Sequence, residues 1–201
     1  MKVNEIFYSI QGEGRYLGVP AIFVRTQGCS AHCPFCDSAS TWSESTVDMS
    51  IKDILLDVNR ARKGNCNLII VTGGEPTEQS DLYQFAQEAI YDGYRCHLET
   101  NGSDDIIKGY FDWAVCSPKA AYNYQVPQGV DELKYVIGAG DDINKIIPAG
   151  IRDKFKGRIW LQPKANGNNI VQENVRYCLE QVMRDPRLRL GLQYHKMIGV
   201  R

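Results

Sequence analysis

Three cysteines crowd into eight consecutive residues, and this cluster constrains the fold more than any other feature of the sequence. Cys29, Cys33 and Cys36 follow a short apolar run, with three and then two residues between them. The chain holds seven cysteines, an odd number that an exported protein with paired disulfides would tend to avoid. The other four lie 20 or more positions apart and are expected to be packed thiols: Cys66, Cys96, Cys116 and Cys178. The crowding therefore predicts a loop whose thiolates share one inorganic ligand.

Two ligands fit such a triplet. A structural zinc ion takes four protein ligands, but only three thiolates are offered here and no second Cys pair follows. His32 is a candidate fourth ligand for zinc, although its neighbours already crowd the loop. An iron–sulfur cube held by three thiolates keeps one iron open for a substrate or cofactor. The spacing favours the cube and leaves zinc as the alternative.

Composition narrows the class of protein. The 201 residues include 23 Lys and Arg against 24 Asp and Glu, with a formal net charge of -1 and 43% hydrophobic residues. This length and hydrophobic content predict one globular domain spanning residues 1–201, whose core forms without disulfides or a structural metal. The near-neutral charge argues against a direct nucleic-acid partner, and no run approaches the roughly 18 apolar residues of a membrane helix. Residues 1–5 lead into no signal-peptide core, so we expect a cytoplasmic protein without a membrane partner.

Short apolar, β-branched runs recur along the chain and predict buried strands. These lie at 21–24, 68–71, 94–98, 113–115, 133–137, 159–161 and 188–192. Amphipathic helices are predicted after the cap Ser50, from about Gln79 to Asp92, and after Asn174. Ile90 and Leu179 are expected on the inward faces of the last two. The alternation implies parallel strands with right-handed crossovers, in a doubly wound sheet or an open or closed barrel.

Polar and glycine-rich segments follow nearly every predicted strand. Because the carboxyl ends of parallel strands share one face, these segments are expected to converge on one ligand-binding mouth. They begin with the cysteines and continue at 72–76, 99–102, 117–119, 162–164 and 193–196.

Two motifs together resemble those of the radical S-adenosylmethionine (SAM) superfamily. They are the cysteine triplet after the first predicted strand and Gly-Gly-Glu-Pro at 73–76 after the second. The resemblance implies an incomplete (βα) barrel with parallel strands and a [4Fe-4S] cluster on Cys29, Cys33 and Cys36. In that superfamily the open iron chelates the methionine moiety of SAM. An electron from a donor such as flavodoxin or ferredoxin then releases a 5′-deoxyadenosyl radical.

The same resemblance implies which residues contact SAM. Gly73 and Gly74 lack Cβ, so their backbone can approach the cofactor, and Glu75 would face its ammonium group. Taken alone, this motif often marks only a tight strand-to-helix turn. The further implied contacts are Phe35, Asp37, Ser117, Lys119, Gln162 and Pro163.

The segment before the first predicted strand carries a second chemical signal. Gln11, Gly12 and Glu13 offer amide and carboxylate groups suited to the edge of a heterocycle, although a plain turn explains these residues equally well. Arg25 lies within an apolar strand. A buried guanidinium requires an anionic partner, and none is evident in that strand.

Six motifs together resemble one family of the superfamily, the 7-carboxy-7-deazaguanine synthases, over residues 4–201. They are Ser-x-Gln-Gly-Glu-Gly at 9–14, the cysteine triplet followed by Asp37, Gly-Gly-Glu-Pro, Ser-Pro-Lys at 117–119, Leu-Gln-Pro at 161–163 and Gln-x-His-Lys at 193–196. The resemblance implies radical ring contraction of 6-carboxy-5,6,7,8-tetrahydropterin with loss of ammonia, in the biosynthesis of queuosine and other 7-deazapurines. It also implies a homodimer that requires Mg²⁺.

Carried over by position, the family's residues give a substrate site in which no side chain is the catalyst, because the radical comes from the cofactor. Ser38, directly after Cys36 and Asp37, would hold Mg²⁺ together with substrate and waters. The implied pterin contacts are Ile10, Gln11, Gly12, Glu13, Arg25, Thr72, His195 and the carboxylate of Arg201.

Two rival functions remain open at this stage. An activase that forms a glycyl radical on a partner protein shares the cysteine triplet and a compact barrel. It would need an open groove for a peptide, whereas Gln11, Glu13 and Arg25 suggest a small polar ligand. A non-enzymatic metal-binding or nucleic-acid-associated module is disfavoured by the weak net charge and by the lack of an aromatic, basic stripe.

Overall fold

A computed structural model of the protein describes residues 1–43, 48–104, 109–119 and 126–201. One eight-stranded sheet runs along it in the order β1 to β8. The strands are β1 (Val3–Ile10), β2 (Pro20–Thr26), β3 (Leu68–Gly73), β4 (Arg95–Thr100), β5 (Trp113–Cys116), β6 (Glu132–Ile137), β7 (Arg158–Pro163) and β8 (Leu188–Leu190). Every neighbouring pair from β2 to β8 is parallel. Within the described ranges β1 and β8 form the two edges, so the fold is the predicted incomplete barrel.

Helices connect β2 to β3, β3 to β4, β6 to β7 and β7 to β8, in agreement with the alternating pattern, and a last helix follows β8. They are α1 (Ile51–Ala61), α2 (Leu82–Tyr91), α3 (Ile143–Ile146), α4 (Ala149–Lys154), α5 (Gln172–Arg184) and α6 (Tyr194–Ile198). The hydroxyl of Ser50 accepts a hydrogen bond from the amide of Asp53, which confirms the predicted cap of α1. In the part of the chain that is described, no helix is long and apolar enough to cross a bilayer.

Three apolar clusters of the described residues anchor the sheet, and the smallest joins β2 to β3 through Ala21, Phe23, Leu68 and Ile70. The first lies under α1 and α2, where Ile22, Ile69 and Phe85 are completely buried. The second lies between α5 and strands β6 and β7, around Leu133 and Leu161. Strands covered in this way read as continuous apolar runs, which is why the sequence located them. The clusters fix the strands and therefore also fix the positions of the carboxyl ends of the parallel strands.

The packed faces of two helices differ from the prediction. Ile90 and Leu179 were expected to point inward, but they are 40% and 45% exposed. In α2 the inward stripe is already filled by Leu82, Phe85, Ala86 and Ala89, so Ile90 falls at its margin. In α5, Cys178 and its neighbour Tyr177 pack on the second cluster, which turns Leu179 toward solvent.

Strand β1 was not predicted as a strand, because most of its side chains are only partly buried and polar residues interrupt the apolar pattern. It pairs antiparallel to β2, with Glu5 opposite Arg25. The segment leaving β1 then turns through Gly14, in a left-handed conformation with φ 65°, and reaches the first residue of β6.

Glu132, the first residue of β6, holds that turn in place. Its carboxylate is completely buried and accepts hydrogen bonds from the amide of Arg15 at 3.1 and 3.3 Å. A Cβ at Gly14 would lie 2.5 Å from Oε2 of Glu132, so glycine makes room for the carboxylate. Burial, followed by the nearby charge of Glu99, raises the pKa of Glu132 to about 7.

This raised pKa predicts how stability changes with pH. Between the ordinary pKa of 4.5 and about 7, the folded protein holds a proton that the unfolded chain releases. The contribution of Glu132 to the free energy of unfolding therefore falls as pH rises through this window, by on the order of 3 kcal/mol. Urea unfolding from pH 5 to 8 would give the free energy of unfolding of the wild type and of Glu132→Gln. As pH rises, the difference between the two values should shift in favour of the variant. A constant difference would contradict the prediction.

Candidate active site

A cavity of about 620 Å³ opens at the carboxyl ends of the strands. It gathers every residue that the sequence predicted to hold cluster, cofactor, metal or substrate. By segment these are Ile10, Gln11, Gly12 and Glu13 after β1; Arg25 in β2; Cys29, Cys33, Phe35, Cys36, Asp37 and Ser38 after β2; Thr72, Gly73, Gly74 and Glu75; Ser117 and Lys119; Gln162 and Pro163; His195; and Arg201. Segments separated by up to 190 positions thus meet at one mouth, as parallel topology requires.

The cysteine triplet faces this cavity, and the four scattered cysteines do not line it. All three thiols are free, with Cys33 buried and the other two partly buried. Burial raises the pKa of Cys29 and Cys33, so a bound cation is needed to favour their thiolates. Cys96, Cys116 and Cys178 are completely buried, in agreement with their predicted packing role.

His32 does not complete a zinc site. Its backbone is left-handed, with φ 41°, which is costly for a residue with a Cβ. The side chain is exposed and lies against the ring of Trp42, with ring centroids 5.2 Å apart. The turn therefore directs the imidazole away from the cavity that the cysteines line.

Among the described residues, no three His, Cys, Asp or Glu side chains are grouped closely enough to hold a single metal ion. A tetrahedral ion requires ligands that converge on one point. A cube binds each thiolate at a separate iron, so its ligands stand apart around one space. Three free thiols bordering a shared cavity fit a cluster better than a zinc ion.

The segment at 73–76 is bound directly to the segment that leads into the cysteines. The amide of Gly74 donates to the carbonyl of Thr26 at 3.0 Å, and the amide of Glu75 donates to the carbonyl of Gly28 at 2.8 Å. A Cβ at Gly73 would overlap the backbone of Thr26, and one at Gly74 would overlap the carbonyl of Gly28. These glycines therefore make room for the chain's own backbone. We had expected them only to let the backbone approach the cofactor.

Glu75 is almost completely buried, and backbone and hydroxyl donors orient its carboxylate. Oε1 accepts from the amide and hydroxyl of Thr77 and from the hydroxyl of Thr100, and Oε2 accepts from the amide of Asn101 at 2.6 Å. Burial raises the pKa of Glu75, although these donors favour the charged form. Oε2 carries fewer partners and keeps acceptor capacity for a donor in the cavity.

A buried charge cluster lies deeper in the cavity. Nζ of Lys134 pairs with the carboxylates of Glu13 and Glu99 at 2.5 and 2.9 Å. Gln11 donates to Glu99 at 3.2 Å and accepts from the amide of Glu13 at 3.1 Å. Burial alone would lower the pKa of Lys134, but the two carboxylates outweigh it and raise that pKa. Sequence reasoning missed Lys134, although a lysine inside a predicted buried strand is the same signal that drew attention to Arg25.

The anionic partner of Arg25 comes from the unpredicted strand β1. Nε of Arg25 donates to Glu5 at 2.8 Å, and Nη1 donates to the hydroxyl of Ser38 at 3.3 Å. The guanidinium of Arg201 also pairs with Glu5, and the hydroxyl of Ser9 donates to the backbone oxygen of Arg201. The antiparallel pairing of β1 with β2 thus aims Arg25 at the cavity.

The ring of Phe35 stands at the cavity mouth between two cations. Nζ of Lys119 lies 6.0 Å from the ring centroid and Nζ of Lys164 lies 5.4 Å from it. Lys119 also donates to the hydroxyl of Ser117 at 2.8 Å, and burial lowers its pKa. Lys164 follows β7 and was not predicted as a site residue.

Comparison with known proteins gives concordant matches. The sequence model of the Radical SAM superfamily matches residues 23–168. A 7-carboxy-7-deazaguanine synthase of Bacteroides thetaiotaomicron is 37% identical over 100% of this chain and 98% of its own length. One from a Synechocystis species is 31% identical over 99% of this chain and 93% of its own length. The crystal structure of QueE from Escherichia coli matches with a TM-score of 0.76 and 28% identity, covering 96% of this chain and 93% of that one.

The close approach at Gly74 predicts the effect of one methyl group. Gly74→Ala should push residues 73–76 away from Gly28, lower the free energy of unfolding by about 1–3 kcal/mol and reduce the iron retained after reconstitution. Gly150→Ala in α4 is the matched control, because its Cβ would meet nothing within 4 Å and alanine favours a helix. Urea unfolding and iron analysis would measure both. Equal behaviour of the two variants would refute the constraint.

Proposed function

Because the chain belongs to the radical SAM superfamily and, within it, to the 7-carboxy-7-deazaguanine synthases, we propose that it is a lyase that converts 6-carboxy-5,6,7,8-tetrahydropterin to 7-carboxy-7-deazaguanine. The ring contracts with loss of ammonia, and the product serves the biosynthesis of queuosine and related 7-deazapurines. One observation carries the proposal: three free thiols and a set of polar, pterin-compatible side chains line the same cavity.

Several residues that line the cavity are suited to hold the cluster and SAM. Cys29, Cys33 and Cys36 would bind a [4Fe-4S] cluster, and Oε2 of Glu75 is placed to accept from an ammonium group. When bound, the cluster and SAM supply a carbon radical that removes a hydrogen atom from the substrate. The remaining proposed SAM contacts are Phe35, Asp37, Gly73, Gly74, Ser117, Lys119, Gln162 and Pro163.

Other residues of the cavity lining would bind the pterin. Arg25, braced by Glu5, offers a guanidinium for the substrate carboxylate. Gln11 and Glu13 are held by Lys134 and Glu99, so their polar atoms are positioned before substrate arrives. Ile10, Gly12, Thr72, His195 and Arg201 complete this proposed surface. These side chains act by orienting the substrate and fixing its charge.

Magnesium is proposed to bind at Ser38. Its hydroxyl lies 3.3 Å from Oδ1 of Asp37, which supplies negative charge, and 3.3 Å from Nη1 of Arg25. A divalent cation at this hydroxyl would repel the guanidinium, so Arg25 would have to turn toward the substrate carboxylate. Mg²⁺ should therefore bind more tightly when the pterin is present.

The family resemblance further supports a homodimer, a reductant such as flavodoxin or ferredoxin, and a cytoplasmic location. The glycyl-radical activase is not favoured, because the relatives are named as synthases of a small molecule and the cavity is lined by fixed charges. A peptide segment would have to desolvate Glu13, Glu99 and Lys134 to occupy it.

Turnover of the reconstituted protein tests the function. The protein would be loaded anaerobically with iron and sulfide, reduced, and incubated with SAM and the carboxytetrahydropterin, with and without Mg²⁺. We expect a brown protein that forms the deazaguanine acid, detected by mass, and one ammonia per product. Cys36→Ser should abolish product, whereas Cys66→Ser, outside the cavity, should retain it. SAM cleavage without product in the wild type would overturn the assignment and favour the activase.

Replacement of Arg25 by lysine should weaken pterin binding specifically. A lysine lacks the separate Nε and Nη1 donors that reach Glu5 and Ser38, and it cannot form a paired contact to a carboxylate. We expect kcat/KM for the pterin to fall by about 10- to 100-fold, mostly through KM, which corresponds to the loss of a charge-assisted hydrogen bond.

The matched control is Arg60→Lys. Arg60 is 69% exposed on α1, pairs with Asp57 and does not line the cavity, so its conservative replacement should leave both kinetic constants unchanged. Steady-state kinetics with varied pterin at saturating SAM would measure both variants. An unchanged KM in Arg25→Lys would exclude Arg25 as the carboxylate contact.

A further inference from the structure

We propose that Gln193 is a positioning residue that holds the substrate loop, residues 11–14, against the cluster loop, residues 29–38. The inference rests on the proposed function, because it concerns the alignment of the pterin with SAM. Gln193 immediately precedes α6, and its side chain lines the cavity.

One amide group of Gln193 joins the two loops. Nε2 donates to Oε1 of Glu13 at 2.9 Å and to Oδ2 of Asp37 at 3.0 Å. A carboxamide carries two N–H donors on this nitrogen, so both contacts form at the same time. The geometry therefore ties an acidic residue of the substrate loop to an acidic residue of the cluster loop.

The two carboxylates would repel each other without an intervening donor. Lys134 neutralises Glu13, and Lys196 pairs with Asp37 at 3.1 Å; both lysines line the cavity. Each carboxylate thus has one lysine partner, and Gln193 separates the two negative groups while donating to both. Loss of its amide leaves two like charges facing each other and favours separation of the loops.

The three residues that follow Gln193 are held by contacts with other segments, so the bridge is built before ligands bind. The amide of Tyr194 donates to the carbonyl of Gly12 at 2.9 Å. The imidazole of His195 occupies the space where a Cβ at Gly12 would lie. Nζ of Lys196 donates to the carbonyl of Gly167 at 3.1 Å, which anchors α6 to the segment after β7.

Hydrogen-atom transfer requires the donor and acceptor atoms to be aligned closely, and a displacement of about 1 Å can cost about 100-fold in rate. A residue that sets the separation of the two loops should therefore affect the reaction between cofactor and substrate. It should leave the binding of either molecule alone much less affected.

The test measures binding coupling as well as turnover. In the holoenzyme with an oxidised cluster, where no turnover occurs, the Kd of the pterin would be measured by calorimetry with and without saturating SAM. We expect SAM to tighten pterin binding in the wild type by about 5- to 150-fold, with the reciprocal effect of the pterin on SAM. In Gln193→Leu, which keeps similar bulk without donors, the factor should fall to about one.

Turnover should change in parallel. We expect kcat for product to fall by about 10- to 100-fold in Gln193→Leu, and SAM cleavage by the reduced enzyme without pterin to fall much less. Met197→Ala is the control on the same helix, because Met197 is 52% exposed and does not line the cavity. If Gln193→Leu does not fold, Gln193→Asn keeps the amide on a shorter stem and should lose coupling in the same way.

The outcomes separate this inference from the function on which it rests. A wild type that forms product, with full coupling retained in the Gln193 variants, would overturn the bridging role and leave the proposed function intact. A wild type that forms no product would overturn the function itself. A parallel loss of coupling, pterin-free SAM cleavage and iron content would assign Gln193 a purely structural role and also refute the inference.

Discussion

The whole site depends on the close approach of two backbone segments at the ends of β2 and β3. Gly74 and Glu75 donate their amides to the carbonyls of Thr26 and Gly28, directly before the first cysteine. Only residues without a Cβ allow this contact, and it couples the loop that carries the thiols to the parallel sheet. Because two apolar clusters hold β2 and β3 in place, the buried core, and not the loop alone, sets the position of the thiols.

Charged side chains in the cavity are also held by residues from other parts of the chain. Two basic residues pair with carboxylates on a different strand or segment: Arg25 with Glu5, and Lys134 with Glu13 and Glu99. Such pairs are costly to desolvate and weak evidence of stability, but they hold their members in one orientation. Polar groups are thereby positioned before a ligand arrives, which is the property that a substrate site requires.

Much of this arrangement was accessible from residues and motifs. Seven buried strands, the cap of α1 and the thiol triplet carry strong local signals, because apolar runs, caps and ligand spacing act over a few residues. Lys134 and β1 were missed for the opposite reason. An edge strand that is half covered shows no clean period, and a lysine in a buried strand has no local sign of the two glutamates that neutralise it.

The sequence by itself determined the chemistry that is possible: three thiols at cluster spacing, glycines where no side chain fits, and polar residues at the ends of strands. The tertiary structure decided which of these groups act together. It turned His32 away, brought Glu5 to Arg25 across an antiparallel pair, and placed the amide of Gln193 between Glu13 and Asp37. The physical reason is distance along the chain. The spacing of neighbouring residues sets which groups one loop carries, whereas contacts between separate segments follow from how strands and helices pack.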